Sequence, residues 1–282
     1  MIIKRVGGKA KIANWIVEHL PQGETFIDVF GGSGVVLDAV VKAKISRTRL
    51  VYNDLDSKLY MFFSILQNRP LELAHLAALT PYSRKFHDES FEIFRNKEQF
   101  DALCDLDKAL VFLIVNRQCF GSKMDGTWSI TRDGEINYNT WNKMPRYVVS
   151  VASRWKSVFL ENLDYELLIK KWDSKNAVFY VDPPYEGVEE SYYEVNKDEG
   201  FDHGRLFDVL AKVKGSFCVS YYGGDEKSGD TDLIRDYRGL GCSVIRKEVS
   251  KHLSMNNNKK KVTEVLLVKK GCKTGPKMPF DD

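Results

Sequence analysis

The sequence predicts an α/β fold: a parallel sheet with crossover helices, split by one large insert. Three observations predict it. The chain opens as strand, glycine loop, helix, strand, the pattern of a parallel βαβ unit. A long helical stretch with no strand pattern follows, and strand patterns return only near residue 157. The length of 282 residues, with 43% apolar and 29% charged, suits a soluble globular chain that can bury a real core.

The elements follow in order. Ile12, Trp15, Ile16 and Leu20 fall at helical spacing in 8–20, and Pro21 and Gly23 stop that helix. Residues 25–30 are a short apolar strand that runs into glycines, 35–41 a helix, and 49–54 the next strand. From 57 to about 116 the segments 59–68, 90–104 and 107–117 read as helices. Residues 127–138 alternate polar and apolar around Asp133-Gly134, a hairpin signal, so 128–132 and 135–139 are expected to pair. Strands at 157–162 and 176–182, a helix at 204–214, a strand at 216–222 and an antiparallel pair at 243–249 and 262–270 complete the chain. The tail 273–282 is expected to be loose. An insert of this size is no loop, so 57–150 is expected to be a module set into a domain made of 1–56 and 151–272.

Composition excludes several classes. No apolar run approaches the roughly 18 residues of a membrane span. The opening MIIKRVGGKAK lacks an apolar signal core, so a cytoplasmic setting is expected. The five cysteines (Cys104, Cys119, Cys218, Cys242, Cys272) are odd in number and never at CxxC spacing, against a disulfide framework or structural zinc. The net charge of +3 is small, but it is clustered. Residues 1–14 carry Lys4, Arg5, Lys9 and Lys11 without an acid, 42–49 carry Lys42, Lys44, Arg47 and Arg49, and 246–273 carry nine bases against Glu248 and Glu264. Such clusters suit a nucleic-acid face or a merely solvated surface.

Three motifs carry chemistry. Asp28-Val29-Phe30-Gly31-Gly32-Ser33-Gly34 places glycines between strand and helix, where a ligand can approach the backbone closely. It is neither GxGxxG nor a P-loop. Asp28 would repel phosphate and suits a cation such as an amino-acid ammonium; a plain tight turn is the alternative. Asp54, in Asn53-Asp54-Leu55-Asp56, lies 20 residues after Gly34, where an acid takes ribose hydroxyls in nucleotide-binding units. A helix N-cap is the other use of Asp there. Asp182-Pro183-Pro184-Tyr185 ends a strand, where open α/β sheets place ligands. Its prolines stiffen the turn, fixing a carboxylate and a carbonyl beside an aromatic face. That set could receive an exocyclic amino group on a flat ring; a rigid turn with a surface tyrosine is the plain reading.

Over about residues 4–270 the chain resembles the N6-adenine DNA methyltransferases of the DNA adenine methylase (Dam-like) family. The signals are Gly7-Gly8-Lys9, DVFGGSG, YNDLD, NRQCFG at 116–121, DPPY, and Ser254-Met255-Asn256 followed by KKKVTEVLLV. Their order agrees too: the glycine loop, an insert, then DPPY, with Asp28 and Asp182 154 residues apart. The resemblance implies a Rossmann-like S-adenosylmethionine methyltransferase sheet with an inserted helical and β-hairpin target-recognition domain. It implies that Lys9 lies at the pocket of the cofactor adenine. Asp28, Phe30, Gly31, Gly32 and Gly34 would line the methionine end, Asp54 the ribose, and Asp164 the cofactor adenine. Asp182, Pro183 and Tyr185 would hold the target base, with Asp182 also beside the cofactor. Arg117, Lys123, Arg132, Lys143 and Arg146 from the insert, with Asn256, Lys259 and Lys260 from the closing basic loop, would contact DNA.

One position departs from the pattern. Where the family usually has Trp or Tyr before GGK, this chain has Arg5 followed by Val6. A guanidinium can also stack on a flat ring. The implied reaction is a direct in-line methyl transfer to adenine N6 in a specific duplex DNA sequence, with the base flipped out. The expected partner is double-stranded DNA, with no membrane and no metal, and the expected state a monomer or weak dimer. The setting would be a bacterial, archaeal or phage-infected cell, as in restriction-modification. Competing readings are an RNA-adenine or protein-amide methyltransferase, and a DNA-binding module without catalysis.

Overall fold

The computed structural model describes every residue except 1, 6, 46, 120–123, 125–126, 130–134, 185–200, 223–230, 253–258 and 272–282. Among the described residues the chain begins α1 (Ala13–His19), β1 (Thr25–Asp28), α2 (Val35–Lys42) and β2 (Arg49–Asn53). Helices follow: α3 (Ser57–Asn68), α4 (Pro70–Leu79), α5 (Arg84–Arg95), α6 (Lys97–Ala102), α7 (Asp105–Gln118), α8 (Glu135–Asn142) and α9 (Met144–Trp155). Then come β3 (Val158–Glu161), α10 (Tyr165–Trp172), β4 (Ala177–Val181), α11 (His203–Ala211), β5 (Ser216–Tyr222), α12 (Asp232–Gly239), β6 (Ser243–His252) and β7 (Lys259–Lys269).

The strands form one mixed sheet in the order β3-β2-β1-β4-β5-β7-β6. The expected α/β class is met. β1 runs parallel to β2 and β4, and β4 parallel to β5, while β7 is antiparallel to β5 and β6. β1 (TFID) and β4 (AVFYV) are buried throughout, which is why they read as unbroken apolar runs rather than alternating ones.

The chain divides into two compact units. One comprises 15–30, 46–53 and 163–282. Its core packs Ile27, Val29, Phe179, Val181, Phe217 and Val219 of the strands with Leu168, Leu206, Leu210, Ile234 and Tyr237 of α10, α11 and α12. Side-chain caps start these helices: Asp164 for α10, Asp202 for α11 and Thr231 for α12.

The other unit comprises 1–14, 31–45 and 54–162. Phe62 and Phe63 of α3 meet Phe112 of α7 and Trp155 of α9, the last stacked on Phe63 at 4.6 Å. The stretch 90–104, which reads as one helix, is two. Asn96 turns extended, and its side chain accepts from the Gln99 N–H to start α6. The sequence pattern does not mark out α4, α9, α10 and α12.

The hairpin expectation is overturned. Residues 135–139 do not form a strand; they lie in α8. The turn at Asp133-Gly134 lies outside the described residues. The physical reason is in the partners. Trp141, buried on α8, donates its indole N–H to the Thr80 carbonyl at 2.7 Å, anchoring a helical turn. Trp128 instead bridges to Cys119, and the Ser129 N–H donates to the Gln118 carbonyl at 2.8 Å. Trp128 and Ser129 therefore pair with Cys119 and Gln118 at the end of α7.

Candidate active site

In the sheet unit, Asp28 ends β1 with its side chain buried, in register with Tyr52 of β2 and Tyr180 of β4. Asp182 lies two residues beyond Tyr180, just past the end of β4, so Asp28 and Asp182 stand at the carboxyl ends of adjacent parallel strands. Asp182 is half-buried and Pro183 buried, while Tyr185 lies outside the described residues. The Cys218 thiol on β5 is pushed well up, by burial first and by the nearby Asp182 charge second.

Asn53 organises these strand ends. Its amide donates to the carbonyls of Val29 at 2.9 Å and Leu163 at 3.1 Å, and its oxygen accepts from the Leu163 N–H at 2.9 Å. Phe30 packs against Tyr165 at 5.7 Å and Phe201 at 5.6 Å. Asp164 accepts from the Glu166 N–H at 2.9 Å and faces Arg205 at 3.5 Å. Arg205 also pairs with Glu166 at 2.6 Å and lies over the Tyr165 ring at 5.3 Å. Burial pushes the Tyr165 hydroxyl up to about 12 against the pull of Arg205. Asn53, Tyr165, Phe201 and Arg205 were missed in the sequence. Only Asn53 left a signal, its place beside Asp54.

In the helical unit, the glycine loop is a real left-handed turn. Gly32 has φ 51° and Gly34 has φ 68°, and the Gly34 N–H donates to the Gly31 carbonyl at 2.8 Å. A side chain at Gly34 would collide with the Trp155 ring. The Gly32 N–H donates to Asp54 Oδ2 at 2.7 Å and the Asp56 N–H to Asp54 Oδ1 at 2.9 Å. Asp54 is thus not the cap of α3. Asp56 is, accepting from the Lys58 N–H at 2.9 Å. Arg5 bridges both acids, 3.7 Å from Asp54 and 3.7 Å from Asp56. Burial raises the Asp54 carboxyl above its ordinary range, and Arg5 is the strongest opposing influence. Asn162 donates to the Asp54 and Leu55 carbonyls at 2.7 and 3.0 Å. Lys9 is buried.

Of the expected DNA contacts, Lys143 and Arg146 are exposed at the start of α9, and Arg117 is buried in the last turn of α7. Burial lowers both Arg117 and Lys4, and Arg117 depresses Lys4 further by repulsion. Lys123, Arg132 and Asn256 lie outside the described residues, as do the side chains of Lys259 and Lys260.

A model of the D12 class N6 adenine-specific DNA methyltransferases matches residues 6–240. The chain belongs to this family. As a D12 class enzyme it methylates adenine in DNA. It is 26% identical to the DNA adenine methylase of Serratia marcescens over 94% of this chain and 96% of that one. It is 28% identical to the DNA N-6-adenine-methyltransferase of Escherichia phage P1 over 66% of this chain. That match spans only 24% of the phage protein. Similar solved structures include the rRNA methyltransferase of Streptomyces viridochromogenes, 13% identical with TM-score 0.40, over 95% of this chain and 88% of that one. Another is a SAM-dependent O-methyltransferase of Thermotoga maritima, 9% identical with TM-score 0.35, over 94% and 67%.

Proposed function

We propose that this D12 class chain uses S-adenosylmethionine to methylate N6 of adenine within a specific double-stranded DNA sequence, the base being turned out of the duplex onto the turn at 182–185. The observation that carries the reading is the placement of Asp28 and Asp182 at the carboxyl ends of adjacent parallel strands.

The donor set fits that methyl donor. The buried carboxylate of Asp28 suits an ammonium and the half-buried one of Asp54 a ribose diol, and either would oppose a pyrophosphate. The left-handed glycines bring backbone rather than side chain to the ligand. Lys9, Phe30, Gly31 and Asp164 are assigned to the same ligand on the family resemblance. When bound, the donor supplies a methyl electrophile on a sulfonium.

The protein's own part is alignment and electrostatics. Adenine's amino lone pair is delocalised into the ring and is a poor nucleophile. The Asp182 carboxylate and the Pro183 carbonyl accept its two hydrogens, which favours a pyramidal nitrogen with the lone pair free. Tyr185 replaces part of the stacking lost when the base leaves the helix. Lys143 and Arg146, exposed on α9, and Arg117 supply positive charge for the DNA backbone.

The deciding experiment is a tritium-transfer assay from S-adenosylmethionine to duplex DNA, with RNA alongside, followed by methylation-sensitive sequencing. Label in adenine N6 at one short sequence is expected. Transfer to RNA alone, or to cytosine, would overturn the reading.

A further inference from the structure

We propose that Arg5 is a positioning residue for the cofactor ribose, its guanidinium offsetting the charges of Asp54 and Asp56 so that the carboxylate its backbone amides aim at the ribose keeps its charge. The inference rests on the reading that Asp54 receives the ribose.

The geometry is specific. Arg5 reaches two acids two residues apart, one with each terminal nitrogen, at 3.7 Å in both cases. Its side chain is 21% exposed and that of Asp54 14%, so water screens the pair only in part. Each Asp54 oxygen already accepts from a backbone amide, Gly32 on one and Asp56 on the other. Those amides fix where the carboxylate points, but they do not supply a full charge. The charged side chains acting on it are Arg5 and Asp56; Glu161 on β3 meets Asp54 through its backbone carbonyl, and Asn162 is neutral. Burial drives the carboxyl up, Asp56 adds to that, and Arg5 opposes both more than any other group does.

The sign follows. Without Arg5 the carboxyl rises further, and its ionised fraction falls as pH falls. Each further unit of rise lowers that fraction about tenfold at pH values below it. A protonated Asp54 keeps fewer acceptor sites for a pair of ribose hydroxyls. Ligand affinity should therefore depend on pH more steeply than in the parent protein.

The test is calorimetric binding of S-adenosylhomocysteine to the full chain between about pH 6 and 8.5. The parent should show the shallower pH dependence. Arg5→Met should bind roughly tenfold more weakly at the low end, with the deficit closing as pH rises. Arg5→Lys should restore the parental profile, since it keeps the charge. Adding Asp56→Asn to Arg5→Met should restore part of the affinity by removing repulsion, while Asn still caps α3. If Arg5→Met does not fold, Asp56→Asn alone decides: it should hold or raise affinity at low pH, and a loss there overturns the proposal. A deficit independent of pH, rescued by neither Lys nor Asp56→Asn, would make Arg5 merely structural. Asp54→Asn separates the two readings. If it binds like the parent, the ribose assignment fails; if it binds weakly while Arg5→Met keeps the parental profile, only the Arg5 proposal fails.

Discussion

The side-chain amide of Asn53 donates to the Val29 carbonyl at 2.9 Å, fixing the end of β1 from the end of β2. The same side chain holds both backbone groups of Leu163 just before α10. One buried residue thus sets the chain on either side of it toward Asp28, Phe30 and Asp164. Asn53→Leu should unfold the protein more easily, since each buried group left unpaired costs about 1–3 kcal/mol. Denaturant titration should show a loss of about 3 kcal/mol or more over the set. A loss below about 0.5 kcal/mol would mean that water or a neighbour replaces the clamp.

Gly34 tests the glycine loop. Its positive φ and the Trp155 ring facing its Cα leave no room for a methyl group. Gly34→Ala should lower stability by about 1–3 kcal/mol through overpacking, with backbone strain in addition. Shortening the ring with Trp155→Phe should make the alanine cheaper, a positive coupling in the double-mutant cycle. Additive losses would show that strain alone is responsible.

Much of this was legible in the sequence because it was local. The βαβ start, β4 and β5 read directly from apolar runs, and the three motifs fell at strand ends by length alone. What could not be read depended on tertiary partners. Residues 135–142 alternate well enough for a strand, yet Trp141 finds Thr80 and the segment coils. The choice between Asp54 and Asp56 as helix cap turned on two backbone amides that no spacing rule specifies. Asn162 and Arg205 act on groups 108 and 39 residues away, and nothing local marks them.

Catalysis should depend on Asp182. Asp182→Ala removes the charged acceptor of the amino hydrogens but leaves β4 and the glycine loop. Single-turnover methylation should slow by at least about a hundredfold, comparable to losing one preorganised electrostatic contact. S-adenosylhomocysteine binding should survive in part. Near-normal turnover by the folded variant would remove Asp182 from the mechanism.

Asp38 on α2 gives a pH signature. Arg154 donates to it at 2.9 and 3.2 Å, Trp155 at 3.3 Å, and Lys42 lies 2.7 Å away. Burial pushes its carboxyl up, but Arg154 and Lys42 outweigh that and hold it below the ordinary value. A depressed carboxyl contributes stability above its unfolded value and loses it as pH falls through the folded one. Asp38→Asn should therefore melt well below the parent at neutral pH, by about 1.5–3 kcal/mol of lost charged hydrogen bonding. The gap should narrow once pH drops below about 4. A gap constant from neutral pH to about pH 3 would point to packing instead.

Arg117 brings stability and function into opposition. It is buried in α7 with its Nε unpartnered, and among the described residues neither it nor Lys4 has an ion pair with an acid. A buried guanidinium without a counter-charge costs free energy in the isolated protein. A DNA phosphate would supply the missing negative charge. Arg117→Met keeps the volume and removes the charge, so its melting temperature should equal or exceed the parent's. Its DNA affinity should fall alike for all sequences, and the slope of log K against log salt should drop by about one. A contact to a guanine edge would instead cost about 1–3 kcal/mol at one base pair only. Measuring cognate and single-mismatch duplexes at two salt concentrations separates the outcomes. A clear fall in melting temperature with DNA binding unchanged would show that Arg117 serves the core of the helical unit instead.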